Sequence, residues 1–178
     1  MSGGPVLVTG AAGFAGSHLV EHLASRGQVV GWSRSEPPAS LARLARWQRV
    51  DLLDRYAVHA ALSDVAPSVV FHCAGVPHVA QSFRQSTHAL RGNVLATHIL
   101  LDELRRLARG ARVLVAGSAT VYAASHKPLD EGAKLAPTSP YALSKLAQEG
   151  RALRALREDG VEVVVARSFN HTGPRQTP

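Results

Sequence analysis

The chain has 178 residues, 46% of them hydrophobic and 19% charged, which is enough for one ordinary domain with a buried core. No run approaches the roughly 18 apolar residues of a membrane span, and residues 1–5 lack the basic-then-apolar pattern of a targeting segment, so the expectation is a soluble cytoplasmic chain with no membrane partner. The net charge of +7 sits on arginines spread through helical patterns at 101–109 and 151–157, with aromatics at only 5%, a balance that argues against nucleic acid as a partner and suits anionic small molecules.

Two periodicities alternate along the chain. β-rich runs fall at 5–9, 28–32, 47–50, 68–73, 111–118 and 161–167, and helical patterns at 14–26, 54–65, 81–108 and 139–159. Strand alternating with helix predicts an α/β chain with a doubly wound parallel sheet. Right-handed crossovers predict the strand order 3-2-1-4-5-6, with a site at the carboxyl ends of the strands.

The first strand runs into Thr9-Gly10-Ala11-Ala12-Gly13-Phe14-Ala15-Gly16. Gly10 allows a sharp exit from the strand, Gly13 a close approach of main chain to a pyrophosphate, and Gly16 close packing of the following helix. The free amides of that helix start then face the anion. On the same helix, His18, Glu21 and His22 match the H-x-x-E-H spacing of inverted zinc peptidases. A helix in this position packs on the sheet and turns its polar residues outward, and no third ligand is evident, so no metal site is expected.

At the end of the second strand, where an acidic residue would read the ribose 2′-hydroxyl, stand Ser33 and Arg34. That pair favours a 2′-phosphate and hence NADP(H), with NAD(H) as the alternative. Asp51, after the third strand, is placed to accept from an adenine amino group, and Asp54 to cap a helix. Cys73 lies inside the apolar run 69–74 and reads as a buried small hydrophobe rather than a nucleophile; as the single cysteine it excludes an internal disulfide.

Residues 139–145, Ser-Pro-Tyr-Ala-Leu-Ser-Lys, open the last helical pattern. Ser139 caps, Pro140 takes the first helical position, and Tyr141 and Lys145 lie one turn apart on one face. A neighbouring ammonium should favour the phenolate and lower the phenol's pKa, so that the pair can pass a proton to or from an alcohol oxygen. Ser118, ending the fifth strand, is placed to bond the same oxygen.

In these motifs, together with Asn93-Val94-Leu95-Ala96-Thr97 and 117–122, the sequence resembles the extended short-chain dehydrogenase/reductases. The resemblance implies a Rossmann fold with Tyr141 as proton donor or acceptor, Lys145 holding the nicotinamide ribose, Ser118 and Thr120 polarising a carbonyl, and Asn93 supporting the site. It adds Phe14, Ala15, Leu52, Ala74 and Gly75 to the cofactor residues. Gln81, Ser82 and the 167–176 stretch, with Asn170, His171 and Arg175, look most like the GDP-4-keto-6-deoxymannose reductases, and supply the candidate substrate contacts. His171 is equally open to a structural role.

The implied activity is therefore NADP(H)-dependent reduction of a nucleotide-activated 4-keto sugar. The alternatives are an NAD-dependent 4-epimerase, which 118–122 also resembles, and a cofactor-binding module without turnover. The 4,6-dehydratases fit less well, because Ala119 and Thr120 stand where they carry acidic residues. The whole of 1–178 reads as one NAD(P)-binding domain with the substrate lobe largely missing: a fragment of a longer enzyme or a short relative. A homodimer through the 81–108 and 139–159 helices is a further expectation.

Overall fold

The computed structural model describes residues 4–77 and 79–176. Six parallel strands, β1 (Val6–Thr9), β2 (Val29–Ser33), β3 (Arg46–Arg49), β4 (Val69–His72), β5 (Arg112–Ala116) and β6 (Glu162–Ala166), form one sheet. Its order is β3-β2-β1-β4-β5-β6, the doubly wound arrangement that the alternating periodicities predict.

Helix α1 (Phe14–Leu23) follows β1 and α2 (Arg55–Val65) follows β3. Asp54 caps α2, its carboxylate accepting from the amides of Tyr56 at 3.0 Å and Ala57 at 3.1 Å. The single helix expected over 81–108 is instead broken into α3 (Val79–Ser82), α4 (Ser86–Leu90), a π-helical turn (Arg91–Leu95) and α5 (Ala96–Leu107). Two side chains account for the breaks by competing for backbone groups. The Ser82 hydroxyl donates to Val79 O at 2.6 Å, and the Thr97 hydroxyl donates to Asn93 O at 2.6 Å. After β5 comes a short 3₁₀ turn (Ala119–Val121), then α6 (Pro140–Arg154) with a π-helical end (Ala155–Asp159).

The larger core lies between the sheet and α2, α5 and α6, where Leu7, Val70, Val113, Leu62, Leu100, Leu104 and Ala152 are fully buried. On the opposite face, α1 covers a smaller cluster around Val8, Ala11, Val20 and Val29. The register aligns Val8, Phe71, Leu114 and Val164 in one row across that face. Val8 is fully buried under α1, whereas Val164 on the edge strand β6 is 56% exposed.

Candidate functional site

Residues that directly follow five strands (Gly10, Arg34, Val50, Cys73 and Gly117), with Ser168 two residues past the end of β6, line a single cleft of about 1470 Å³ at the carboxyl edge of the sheet. At the β1 exit Gly10 has φ +67°, and a Cβ there would stand 2.7 Å from the Ala74 amide nitrogen. A Cβ on Gly16 would meet Gly10 O at 2.2 Å. Only glycine permits this turn. Gly13 brings no capping side chain to α1, so the first-turn amides at Phe14 and Ala15, both in the cleft wall, are left for an anion. These features fit a dinucleotide pyrophosphate on structural grounds.

The cleft continues past Ser33, Arg34, Asp51 and Leu52 on one side and Ala74 and Gly75 on the other. The Ser33 hydroxyl accepts from the Ser35 amide at 3.1 Å, forming a small turn with Arg34 exposed at its tip. Asp51 Oδ1 accepts from the Leu53 amide at 3.0 Å, which orients the carboxylate and leaves its second oxygen free of protein partners in the described residues.

At the other end of the cleft stand Ser118, Thr120 and Tyr141. The Ser118 and Thr120 hydroxyls are 2.8 Å apart, and the Thr120 amide donates to Ser118 Oγ at 3.2 Å. Tyr141 lies in the first turn of α6, as the capping signal predicts: Ser139 Oγ accepts from the Ala142 amide at 3.0 Å and Pro140 fills the first helical position. Burial raises the Tyr141 phenol above its ordinary pKa of 10, and a hydrogen bond with Ser118 offsets part of that rise.

The expectation that the Lys145 ammonium lowers the Tyr141 pKa is thereby corrected. Lys145 Nζ lies 6.0 Å from the Tyr141 ring centroid, and it donates to Ala116 O and to Gln148 Oε1, both at 3.0 Å. Its charge is spent on neutral acceptors behind the cleft, and burial brings its own pKa down to about 8. Asn93 also stands behind the cleft. Its Oδ1 accepts from the Val76 amide at 2.8 Å and its Nδ2 donates to Ser144 Oγ at 2.8 Å, so it ties the Gly75 loop to α6. A Cβ on Gly75 would stand 2.6 Å from Asn93 Oδ1.

Of the expected substrate contacts, Asn170 and His171 line the cleft, with His171 stacked on Phe14 at 5.5 Å between centroids. Arg175 does not. It reaches back to α1, where its guanidinium bonds Ser17 Oγ at 3.0 Å and Glu21 at 2.7 Å. Gln81 is exposed and outside the cleft lining, and Ser82 is buried with its Oγ accepting from the Tyr141 amide at 3.0 Å. Ser82 therefore holds the start of α6. His18 bonds Pro174 O at 3.0 Å and Glu21 pairs with Arg175, which accounts for two of the three H-x-x-E-H residues; among the described residues no three His, Cys, Asp or Glu side chains converge as metal ligands. No helix among them is long and apolar enough to cross a membrane.

The profile of the NAD dependent epimerase/dehydratase family matches residues 6–178. The chain belongs to this family. It is 34% identical over 174 residues to a GDP-6-deoxy-D-mannose reductase of Pseudomonas aeruginosa, covering 96% of this chain and 53% of the relative. A dTDP-glucose 4,6-dehydratase of Streptomyces antibioticus is 32% identical over 192 residues, covering 97% and 55%. The solved structure of MoeE5 in complex with UDP-glucuronic acid and NAD superposes with a TM-score of 0.86 at 41% identity, covering 98% of this chain and 57% of that one. The chain thus spans about half the length of the curated family members it matches.

Two features of this family member escape motif reading. His72, Thr97 and Gln148 form a buried polar chain behind the cleft: His72 Nε2 lies 2.7 Å from Thr97 Oγ1, and Gln148 Nε2 donates to the same oxygen at 2.7 Å. Arg167, half-buried, forms a two-point pair with Glu149 at 2.5 and 2.9 Å and donates to Tyr122 OH at 2.9 Å; these partners raise its already high pKa. The only sequence signal for either was polar residues at 148 and 149, on a helix whose inner face should be apolar.

Proposed function

We propose that the chain is the cofactor-binding and proton-transfer half of an NADP(H)-dependent oxidoreductase that reduces the 4-keto group of a nucleoside-diphosphate 4-keto-6-deoxyhexose in the cytoplasm. The observation that carries this reading is the convergence of Ser118 and Tyr141 on one end of a cleft whose other wall is the glycine turn, with Lys145 directly behind. The kinship with a GDP-6-deoxy-D-mannose reductase supports the sugar class and the direction.

A bound nicotinamide dinucleotide supplies the hydride. The chain's own residues do the rest. Gly10, Gly13, Phe14, Ala15 and Gly16 receive the pyrophosphate, Ser33 and Arg34 the 2′-phosphate, Asp51 and Leu52 the adenine, and Ala74 and Gly75 the inner wall. Lys145 has one of its three N–H donors left for the ribose after Ala116 O and Gln148 take two. A phenol held above its ordinary pKa is protonated at neutral pH, which suits Tyr141 as the donor in a reduction: its proton passes to the carbonyl oxygen as the carbon gains hydride. Ser118 Oγ donates to the same oxygen as charge develops. Asn170 and His171 are placed to meet the substrate diphosphate.

The reading includes a second copy of the chain as partner. Leu90 on α4 and Leu143 on α6 are 42% and 53% exposed beside a shallow apolar groove floored by Pro137 and Pro140. Leu143→Glu should shift a dimer to monomer in sedimentation velocity.

The test of the activity is NADPH oxidation with GDP-4-keto-6-deoxymannose, run beside a fluorescence titration of NADPH on the same sample. Saturable binding with substrate-dependent oxidation, however slow, supports the reading. Failure to bind any dinucleotide overturns it, and NAD-dependent 4-epimerisation without net cofactor oxidation replaces it.

A further inference from the structure

We propose that Gln148 is a positioning residue for Lys145, acting as the last link of a buried chain that runs from Thr9 on β1 through His72 and Thr97 to α6. The inference rests on the assignment of Lys145 to the site, and it concerns a residue that neither the motifs nor the family kinship single out.

Hydrogen counting fixes every link. Thr97 has one hydroxyl hydrogen and three close neighbours: Asn93 O at 2.6 Å, His72 Nε2 at 2.7 Å and Gln148 Nε2 at 2.7 Å. A carbonyl can only accept, so the hydrogen goes to Asn93 O. Gln148 must turn its amide nitrogen to Thr97, because its oxygen is the group that accepts from the Lys145 ammonium at 3.0 Å. His72 Nε2 is then the second donor to Thr97 Oγ1, which leaves Nδ1 bare to accept from the Thr9 hydroxyl at 2.8 Å. Thr9 Oγ1 in turn accepts from the Ala74 amide at 3.3 Å. No hydrogen is used twice and every oxygen and nitrogen acts in its proper sense, so His72 is the neutral Nε2–H tautomer.

This arrangement gives Gln148 its role. Lys145 is 7% exposed, and its two protein acceptors, Ala116 O and Gln148 Oε1, are both uncharged. Among the described residues, the titratable groups that face it are the Cys73 thiol, the neutral His72 ring and the Tyr141 phenol; Glu149, the nearest acid in sequence, is committed to Arg167. Among the described residues no carboxylate stands beside it, so the ammonium rests on two neutral oxygens, of which Gln148 Oε1 is the one that a side chain supplies. An amide cannot pass a proton along, so the chain anchors Lys145 without opening a proton path into the core.

The experiment uses the fact that the protein has three lysines, of which Lys127 and Lys134 are exposed. With lysine labelled by ¹³C at the ε carbon, Lys145 is followed through its titration by NMR, in the absence of any cofactor, with the two exposed lysines as internal references. Gln148→Leu removes the acceptor and should lower the Lys145 midpoint by about one pH unit, a tenfold change in its acidity. Gln148→Glu keeps the shape, supplies a carboxylate, and should raise the midpoint by at least as much. Lys145 midpoints unchanged from the wild type, with only a lower melting temperature, would show that Gln148 is mere packing and overturn the proposal. Should the leucine variant fail to fold, the near-isosteric glutamate variant decides alone. Because no ligand enters the measurement, its failure is distinct from failure of the proposed reduction.

Discussion

Burial holds the Tyr141 phenol above its ordinary pKa, and the nearest ammonium is turned away to Ala116 O and Gln148, so the phenol carries its proton at neutral pH. Removing only that proton should remove the chemistry. Tyr141→Phe is expected to lower kcat by at least about a hundredfold in this chain or a longer form containing it. NADPH affinity, read by fluorescence titration, should stay within about twofold. Arg34 acts at the opposite end of the cleft and in the opposite way. Exposed at the tip of the Ser33 turn, it is placed to pair with a 2′-phosphate by charge-assisted hydrogen bonds. Arg34→Ala should weaken NADPH by about tenfold, roughly the worth of one such exposed pair, and leave NADH unchanged; equal losses for both would remove the argument for NADP(H).

Between elements, packing is decided by single atoms. The α1 start closes over the β1 turn so tightly that a methyl group on Gly16 would meet Gly10 O at 2.2 Å, and Gly16→Ala should cost about 2 kcal/mol or more in chemical denaturation. The His72 link between β4 and α5 predicts a pH dependence. Full burial lowers its pKa from the ordinary 6.5 to about 3. Above pH 6.5 neither the folded nor the unfolded chain protonates this ring. As pH falls from 6.5 towards 3 the unfolded chain takes up a proton that the folded chain refuses, so stability is lost on acidification, by about 1.4 kcal/mol per pH unit at most from this group. Denaturation midpoints measured at pH 7, 6 and 5 should fall accordingly, and His72→Asn should flatten that slope while lowering stability at pH 7. The sequence announced the strands, the glycine turn and the Ser139-Pro140 helix start because each is a local pattern. It did not announce the breaks at Ser82 and Asn93, since the sequence does not say which group each hydroxyl bonds, here carbonyls three and four residues back. For the same reason Ser82 and Arg175, which look like substrate contacts by position, turn out to be tied to the Tyr141 amide and to Glu21. The Tyr141–Lys145 spacing was legible, whereas the direction of the ammonium was fixed by Gln148, three residues on.

Across the whole molecule, the cofactor wall is continuous, but only Asn170 and His171 of the 167–176 stretch's expected contacts reach the cleft. Cofactor affinity and catalysis should therefore separate: a low-micromolar or tighter NADPH complex, with reduction of the 4-keto sugar slower by orders of magnitude than a closed site allows, because positioning alone is worth several kcal/mol of barrier. Brisk turnover by these 178 residues would refute that division. The row from Val8 to Val164 has a consequence for handling rather than for chemistry. One end is dry beneath α1 and the other is wetted at the edge of the described sheet, so β6 is expected to act as a strip on which molecules adhere to one another as concentration rises. Light scattering should report net attraction between molecules, and Val164→Lys should turn it to repulsion while the dinucleotide titration stays as it was, since residue 164 lies two positions before the end of β6 and outside the cleft lining. Self-association on this edge would then be set within β6 and ligand binding beyond its end, at Ser168 to His171, so that each can be tuned without touching the other.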